Sequence, residues 1–124
     1  MGLSKKAINE LKTERRRILA EPRLFNMDYF ADRRSCGTVH CIAGGISLRH
    51  GGHVNESQVK HETRAMLILD IPSDEAAELF WVHLWERGFK ERYEAARSIR
   101  GNNGYEYRAQ IAADYIDWYI EKYK

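Results

Sequence analysis

An all-α fold, a compact single-domain bundle of about five to six helices over residues 1–124, is the class that this sequence predicts. Two observations point there. Apolar residues recur at helical spacing in almost every stretch that shows a pattern, and no run of strict alternation competes with them; the one β-rich stretch is too short to build a sheet. The chain of 124 residues fits one domain and is long enough to bury a core without metal or disulfide support. No internal repeat, low-complexity tract or long linker divides it.

The elements follow in order. A first helix runs from Ser4, a suitable N-cap, to about Ala20, with Ile8, Leu11, Ile18 and Leu19 on one side and Lys5, Lys12, Arg16 and Arg17 away from it; Pro22 bars its continuation. Residues 23–30 read as irregular or a single turn whose Phe25, Met27 and Phe30 plug the core. A second helix is expected from Gly37-Thr38 to Arg49 or His50, closed by Gly51-Gly52. A third follows Asn55, with Gln58 at capping-box spacing and Val59, Met66 and Leu69 as its inner stripe, until Asp70-Ile71-Pro72 stops it. Ser73 then caps a fourth helix whose first turn, Asp74-Glu75, suits the dipole; its stripe is Ala77, Phe80, Trp81 and Leu84, and Gly88 ends it. Phe89, Tyr93, Ala96 and Ile99 mark a fifth helix, Gly101-Asn102-Asn103-Gly104 the clearest loop, and Ala112, Tyr115, Ile116, Tyr119 and Ile120 a last helix from about Tyr105.

Composition excludes several classes. Lys and Arg number 20 against 18 Asp and Glu, a formal net charge of +2, which rules out an acidic disordered tail. Two cysteines do not make a disulfide scaffold, and a mean hydropathy of -0.61 argues against a membrane span. Met1-Gly2-Leu3-Ser4-Lys5-Lys6 lacks the apolar run of a secretory signal, and Lys6 stands where a myristoylation start needs Ser or Thr. A cytoplasmic protein with reduced thiols is the expectation. The charge is unevenly spread: residues 1–35 hold nine basic and five acidic side chains, net +4, and the remainder is net −2. Without a helix-turn-helix or RNA-binding signature, that basic front predicts at most weak, salt-sensitive nucleic-acid binding.

The most unusual segment is Ser35-Cys36-Gly37-Thr38-Val39-His40-Cys41-Ile42-Ala43-Gly44-Gly45. Its Cys-Gly-Thr-x-x-Cys-x-Ala-Gly pattern resembles the signature of a family of small uncharacterised proteins from bacteria and their phages. Ala65-Met66-Leu67-Ile68-Leu69-Asp70-Ile71 followed by Leu79-Phe80 resembles a later pattern of that family, with Asp70 where a small residue is more usual. The resemblance covers roughly residues 18–85 and implies architecture and a motif, with no mechanism attached; a phage or bacterial accessory role is what it suggests.

Read from the residues, a helix start at Gly37-Thr38 would aim unpaired N–H groups and the positive dipole end at a small anion, with Cys36, Gly37, Thr38, His40 and Cys41 as the candidate ligand-binding residues. Cys36 there would gain thiolate character. Gly44-Gly45 inside a helix costs about 1 kcal/mol per glycine, which suggests that another backbone or a ligand crosses closely. Against this, Cys41, Ala43 and Gly44 are also what tight helix packing requires, and a buried cysteine usually acts as a small hydrophobe.

Two function classes follow. The leading one is a non-enzymatic protein that binds a protein partner, or a small anionic ligand at Cys36-Gly37-Thr38. Off-stripe Tyr105, Tyr107 and Tyr123 suggest a protein-binding or homodimer face, while Trp81, Trp85, Tyr115, Trp118 and Tyr119 belong mostly to the core. The alternative is a cysteine-dependent enzyme with Cys36 as nucleophile and His40 or His83 as base. The Cys-x4-Cys spacing, with His50, His53 and His61 scattered beyond it, is a poor zinc signature, so no metal and no cofactor is expected.

Overall fold

The computed structural model describes residues 2–28, 32–34 and 37–124, with 32–34 and 37–39 described by their backbone alone. Among them are six α-helices and one short hairpin, so the chain is a compact all-α fold: α1 (Lys5–Ala20), β1 (Asp32–Arg34), β2 (Gly37–Val39), α2 (Ile42–Arg49), α3 (Gln58–Leu69), α4 (Ser73–Phe80), α5 (Arg87–Ala96) and α6 (Gly101–Tyr123). Helix α1 packs along α6, α2 against α3, and α5 against α6.

Helix α1 forms where the sequence places it, with Ser4 Oγ accepting the Ala7 N–H at 3.0 Å. Its buried face differs from the expected one. Ala7, Leu11, Glu14 and Ile18 are inside, whereas Leu19 is exposed, so a carboxylate occupies the third position of an apolar stripe. Pro22 opens a 3-10 turn, Pro22–Leu24, and Phe25 and Met27 then enter the core as expected; Phe30 lies outside the described residues.

The second helix starts later than its glycine-threonine pair suggested. Gly37–Val39 is a strand paired antiparallel with Asp32–Arg34, Arg34 opposite Gly37 and Asp32 opposite Val39. His40 then bridges to Phe25, its N–H donating to the Leu24 carbonyl at 3.0 Å and its carbonyl accepting from Asn26 N–H at 3.2 Å. These backbone bonds are the physical reason for the shift: N–H groups committed to a ladder and a bridge cannot open a helix. Helix α2 begins at Ile42 and ends as expected, with Gly51 at a φ of +90°.

Helix α3 buries His61, Ala65 and Leu69, and leaves Val59 exposed. The cap is Ser57, whose Oγ accepts the Lys60 N–H, and Asp70 ends the helix at φ 52°, ψ 53°. That is the left-handed region, which is why a small residue suits the position. The expected fourth helix is divided. Helix α4 starts at Ser73 with Pro72 as its cap, stops at Phe80, and is followed by a 3-10 turn, Val82–Leu84; its inner residues are Ala76, Leu79 and Phe80, and Leu84 is exposed. Gly88 lies in the first turn of α5, its N–H bonded to the Glu86 carboxylate.

The asparagine-glycine stretch is helix, not loop. Gly101 at φ 75° turns the chain, and α6 runs unbroken from it to Tyr123. Gly104 faces α5's end so closely that a Cβ there would overlap the Ile99 carbonyl. Arg108, buried, donates Nη1 to the Ala96 and Ile99 carbonyls at 2.8 and 3.1 Å and so closes the C-terminus of α5. Trp85 stacks on Tyr115 with centroids 4.3 Å apart, and Tyr93 meets both Trp85 and Phe25 edge-on. Trp85 Nε1, Tyr115 Oη and Tyr119 Oη donate to the carbonyls of Leu79, Glu78 and Glu75, so the aromatic core also satisfies backbone acceptors of α4.

Candidate functional site

The segment singled out by sequence falls between two environments. Cys36 lies outside the described residues, and Gly37 and Thr38 contribute strand backbone. His40 and Cys41 do come together with other chemistry, in a polar cluster enclosed by α1, α2 and α3.

Cys41 is the N-cap of α2. Its Sγ accepts the Gly44 N–H at 3.5 Å, and its carbonyl accepts Gly45 N–H at 2.9 Å. The side chain is fully buried, and burial pushes the thiol up to about 12. A thiol held in that state is a capping and packing group, as the small-hydrophobe reading has it. His40 is also buried. Desolvation, helped by the Arg17 charge, pulls its imidazole down to about 3, so it is neutral, and its Nδ1 has no hydrogen-bond partner.

Glu14 anchors the cluster. Its buried carboxylate accepts from Arg17, one turn further along α1, and from Arg49 at the end of α2. Arg49 also reaches Glu10 Oε2 at 2.8 Å, and His50 Nε2 lies 2.7 Å from Glu10 Oε1. Burial alone would raise Glu10, but the Arg49 and His50 hydrogen bonds outweigh it and hold the carboxyl low. Gly45 is the reason the carboxylate fits, because a Cβ there would overlap both Glu14 oxygens and sit 2.8 Å from Arg17 Nη2. At Gly45 the close approach is therefore made by the Glu14–Arg17 salt bridge of α1.

On the far side of α2, Ser47 Oγ sits 2.8 Å from His61 Nδ1 and accepts from Arg64 Nη1 at 2.9 Å. The hydroxyl has two lone pairs and one proton, so it can accept from Arg64 and still serve His61 Nδ1 as donor or acceptor. Burial lowers the His61 pKa, and Nε2 has no partner. Arg64 is held by Glu56 at 2.7 and 2.9 Å, and those bonds pull the Glu56 carboxyl down to about 2. The cluster is thus an ion-paired interior in which Arg17 Nη1, His40 Nδ1 and His61 Nε2 are buried without a hydrogen-bond partner among the described residues. Among the described residues no three His, Cys, Asp or Glu side chains converge as metal ligands. His83 is exposed in the 3-10 turn after α4, its ring 6.1 Å from that of Trp81.

Sequence reasoning missed Glu14, Arg17, Arg49, Ser47, His61 and Arg64. A signal for one of them was present: Glu14 sits three residues after Leu11 and four before Ile18, on the buried stripe of its helix.

The second feature is external. Val59 and Leu67 on α3 are each 70% exposed. They line an open groove of about 660 Å³ between α1 and α3, together with Thr63, Ile68, Lys6 and Lys60. The sequence placed Val59 inside; the helix instead turns His61 inward, where Ser47 meets it, and presents Val59 outward.

Fold and site together define an all-α domain with an ion-paired interior at one end and an apolar groove on the outside of that end. The chain matches no known family model, no curated protein and no solved structure. Among the described residues no helix is long and apolar enough to cross a membrane.

Proposed function

We propose that this chain acts by binding a protein partner through the outer face of α3. The observation that supports this is the 70% exposure of Val59 and Leu67 on a helix that buries a histidine on its other side. Enclosing such a side chain is worth about 1.5–3 kcal/mol. Two aliphatic residues left out of the core on one groove are therefore a ready driving force for association. The aromatic positions offered as an interface divide: Tyr107 is exposed, but Tyr123 is bonded to Glu78 and Tyr105 packs under Arg108. The small-anion expectation at Cys36, Gly37 and Thr38 was argued from a helix start that lies at Ile42 instead, so that argument no longer supports it.

A photo-reactive residue placed at Thr63, in the middle of the groove, is expected to give a discrete covalent adduct in producing cells. The same residue at Glu91, on the exposed side of α5, is expected to give none. Equal labelling from the two positions, or none from Thr63, sinks the proposal; an adduct of twice the chain mass makes the partner a second copy.

The cysteine-enzyme reading loses support at His40, because a buried imidazole pulled down to about 3 is a poor base for a thiol. Alkylation rates against pH test it, because Cys41 is buried and inert and Cys36 alone then reports. A Cys36 thiolate persisting below neutral pH favours the enzyme; an ordinary thiol profile removes it.

A further inference from the structure

We infer that the α1–α3 groove takes an amphipathic helix with acidic flanks from another protein, an inference that rests on the binding reading above and specifies its partner.

The shape favours a helix. Val59, Thr63 and Leu67 follow one another at four-residue spacing, so the apolar line they make is about 12 Å long, slightly more than two helical turns. Six of its eight lining residues lie on α3, with Lys6 of α1 and His50 at the end of α2 beside them, and among the described residues no strand lines it, so main-chain strand addition has no template there. A helix laid into the trough would set residues at i, i+4 and i+7 against Val59, Leu67 and Ile68.

The charges decide which helix. Lys6 on α1 and Lys60 on α3 stand on the two walls, and neither has an ion-pair partner among the described residues. The carboxylates four residues from each lysine are already ion-paired, Glu10 with Arg49 and His50 and Glu56 with Arg64. The charges left unsatisfied at the rim are therefore both positive, one on each side of an apolar floor. A helix with acidic flanks meets both; a basic one meets two ammonium groups and no free carboxylate. A lipid surface fits less well, because Val59 and Leu67 make only a short exposed apolar strip on α3, where an interfacial helix presents a continuous apolar face.

The test uses two labelled synthetic peptides with the same leucine face at helical spacing, one carrying Glu and the other Lys on its flanks. Fluorescence anisotropy with the full chain is expected to show the Glu peptide binding at least about tenfold more tightly, with the advantage shrinking as salt is added. The Lys6→Glu/Lys60→Glu variant should invert the preference, and Val59→Ser/Leu67→Ser should abolish binding of both peptides, each with unchanged circular dichroism. Equal binding of the two peptides, or a preference that charge reversal leaves intact, overturns the inference. So does a dimer in sedimentation that Val59→Ser/Leu67→Ser dissolves, which makes the occupant a second copy, or flotation of the chain with phosphatidylserine vesicles through the same residues. If the Thr63 adduct forms and the Glu peptide fails, the acidic partner falls and the binding reading stands; if the Thr63 adduct is absent, both fall.

Discussion

His40 carries two burdens at once: its backbone ties the hairpin to the Pro22–Leu24 turn, and its ring sits neutral in an interior that also holds Arg17, Arg49 and His61. Protonating it there adds a positive charge beside Arg17 and Arg49 in a desolvated interior. The unfolded chain takes up that proton near pH 6.5, and the folded one only near 3. Over that window the unfolded state binds more protons, so stability is complete above the upper value and falls as pH drops through it, on the order of a few kcal/mol in all. Urea midpoints measured between neutral pH and about pH 5, above the range where carboxylates titrate, should decline steadily. His40→Leu should flatten that decline, leaving a residue due to His61, whose pKa is also lowered by burial. A slope unchanged in His40→Leu assigns the acid sensitivity elsewhere. Cys41 shows what sequence can tell about single residues. Its smallness and place in a tight segment signalled packing, but its service as the thiol cap of α2 depended on where that helix starts.

At the scale of elements, the same dependence explains which features were legible. Helices α1, α3 and α5 and the inner residues of α6 follow from periodicity, although Leu19 and Val59 face outward and Ile99, expected in the fifth helix, lies exposed beyond its end. What periodicity could not see was backbone committed to other backbone. Strand pairing at Gly37–Val39 delays α2, and Arg108 with Gly104 allows α6 to begin at Gly101 hard against the end of α5. Periodicity also could not see that a polar stripe was inside: Glu14 and His61 are buried because α2 brings Arg49 and Ser47 to them. Gly45 is the position where this shows most sharply. Helix propensity alone favours Gly45→Ala by about 1 kcal/mol. The Cβ would land on the Glu14 carboxylate and beside Arg17, so the substitution should instead destabilise by roughly 1–3 kcal/mol, the usual penalty for overpacking. Calorimetry decides between the two signs; a raised Tm means that α1 and α2 separate without loss and that Glu14 does not need the contact. Glu14→Ala should cost less in the Gly45→Ala background than in the native chain, since the two are in direct contact.

For the whole molecule, the question is whether its two kinds of interior behave as one. The ion-paired cluster lies among α1, α2 and α3, while Trp85 and Trp118 stack on Tyr115 in the aromatic core and Trp81 reaches Glu62 of α3. Helix α1 belongs to both. Its Glu14 reaches α2, and its most extensive packing is along α6, with Ala7, Leu11 and Ile18 all buried. Loosening the cluster by acid therefore withdraws the helix that covers α6, and the aromatic core loses one wall. A chain of this size is ordinarily cooperative, and α1 supplies the physical link that makes it so here. Acid titration followed by tryptophan emission and by far-ultraviolet circular dichroism should accordingly give coincident transitions, although only one half contains the acid-sensitive histidines. If ellipticity falls first and emission changes at distinctly lower pH, the α1–α6 contact does not couple the halves, and the groove on α3 would open and close independently of the aromatic core. Substituting Val59 and Leu67 by serine should leave both transitions in place, because these exposed side chains contribute to what the molecule meets and little to what holds it together.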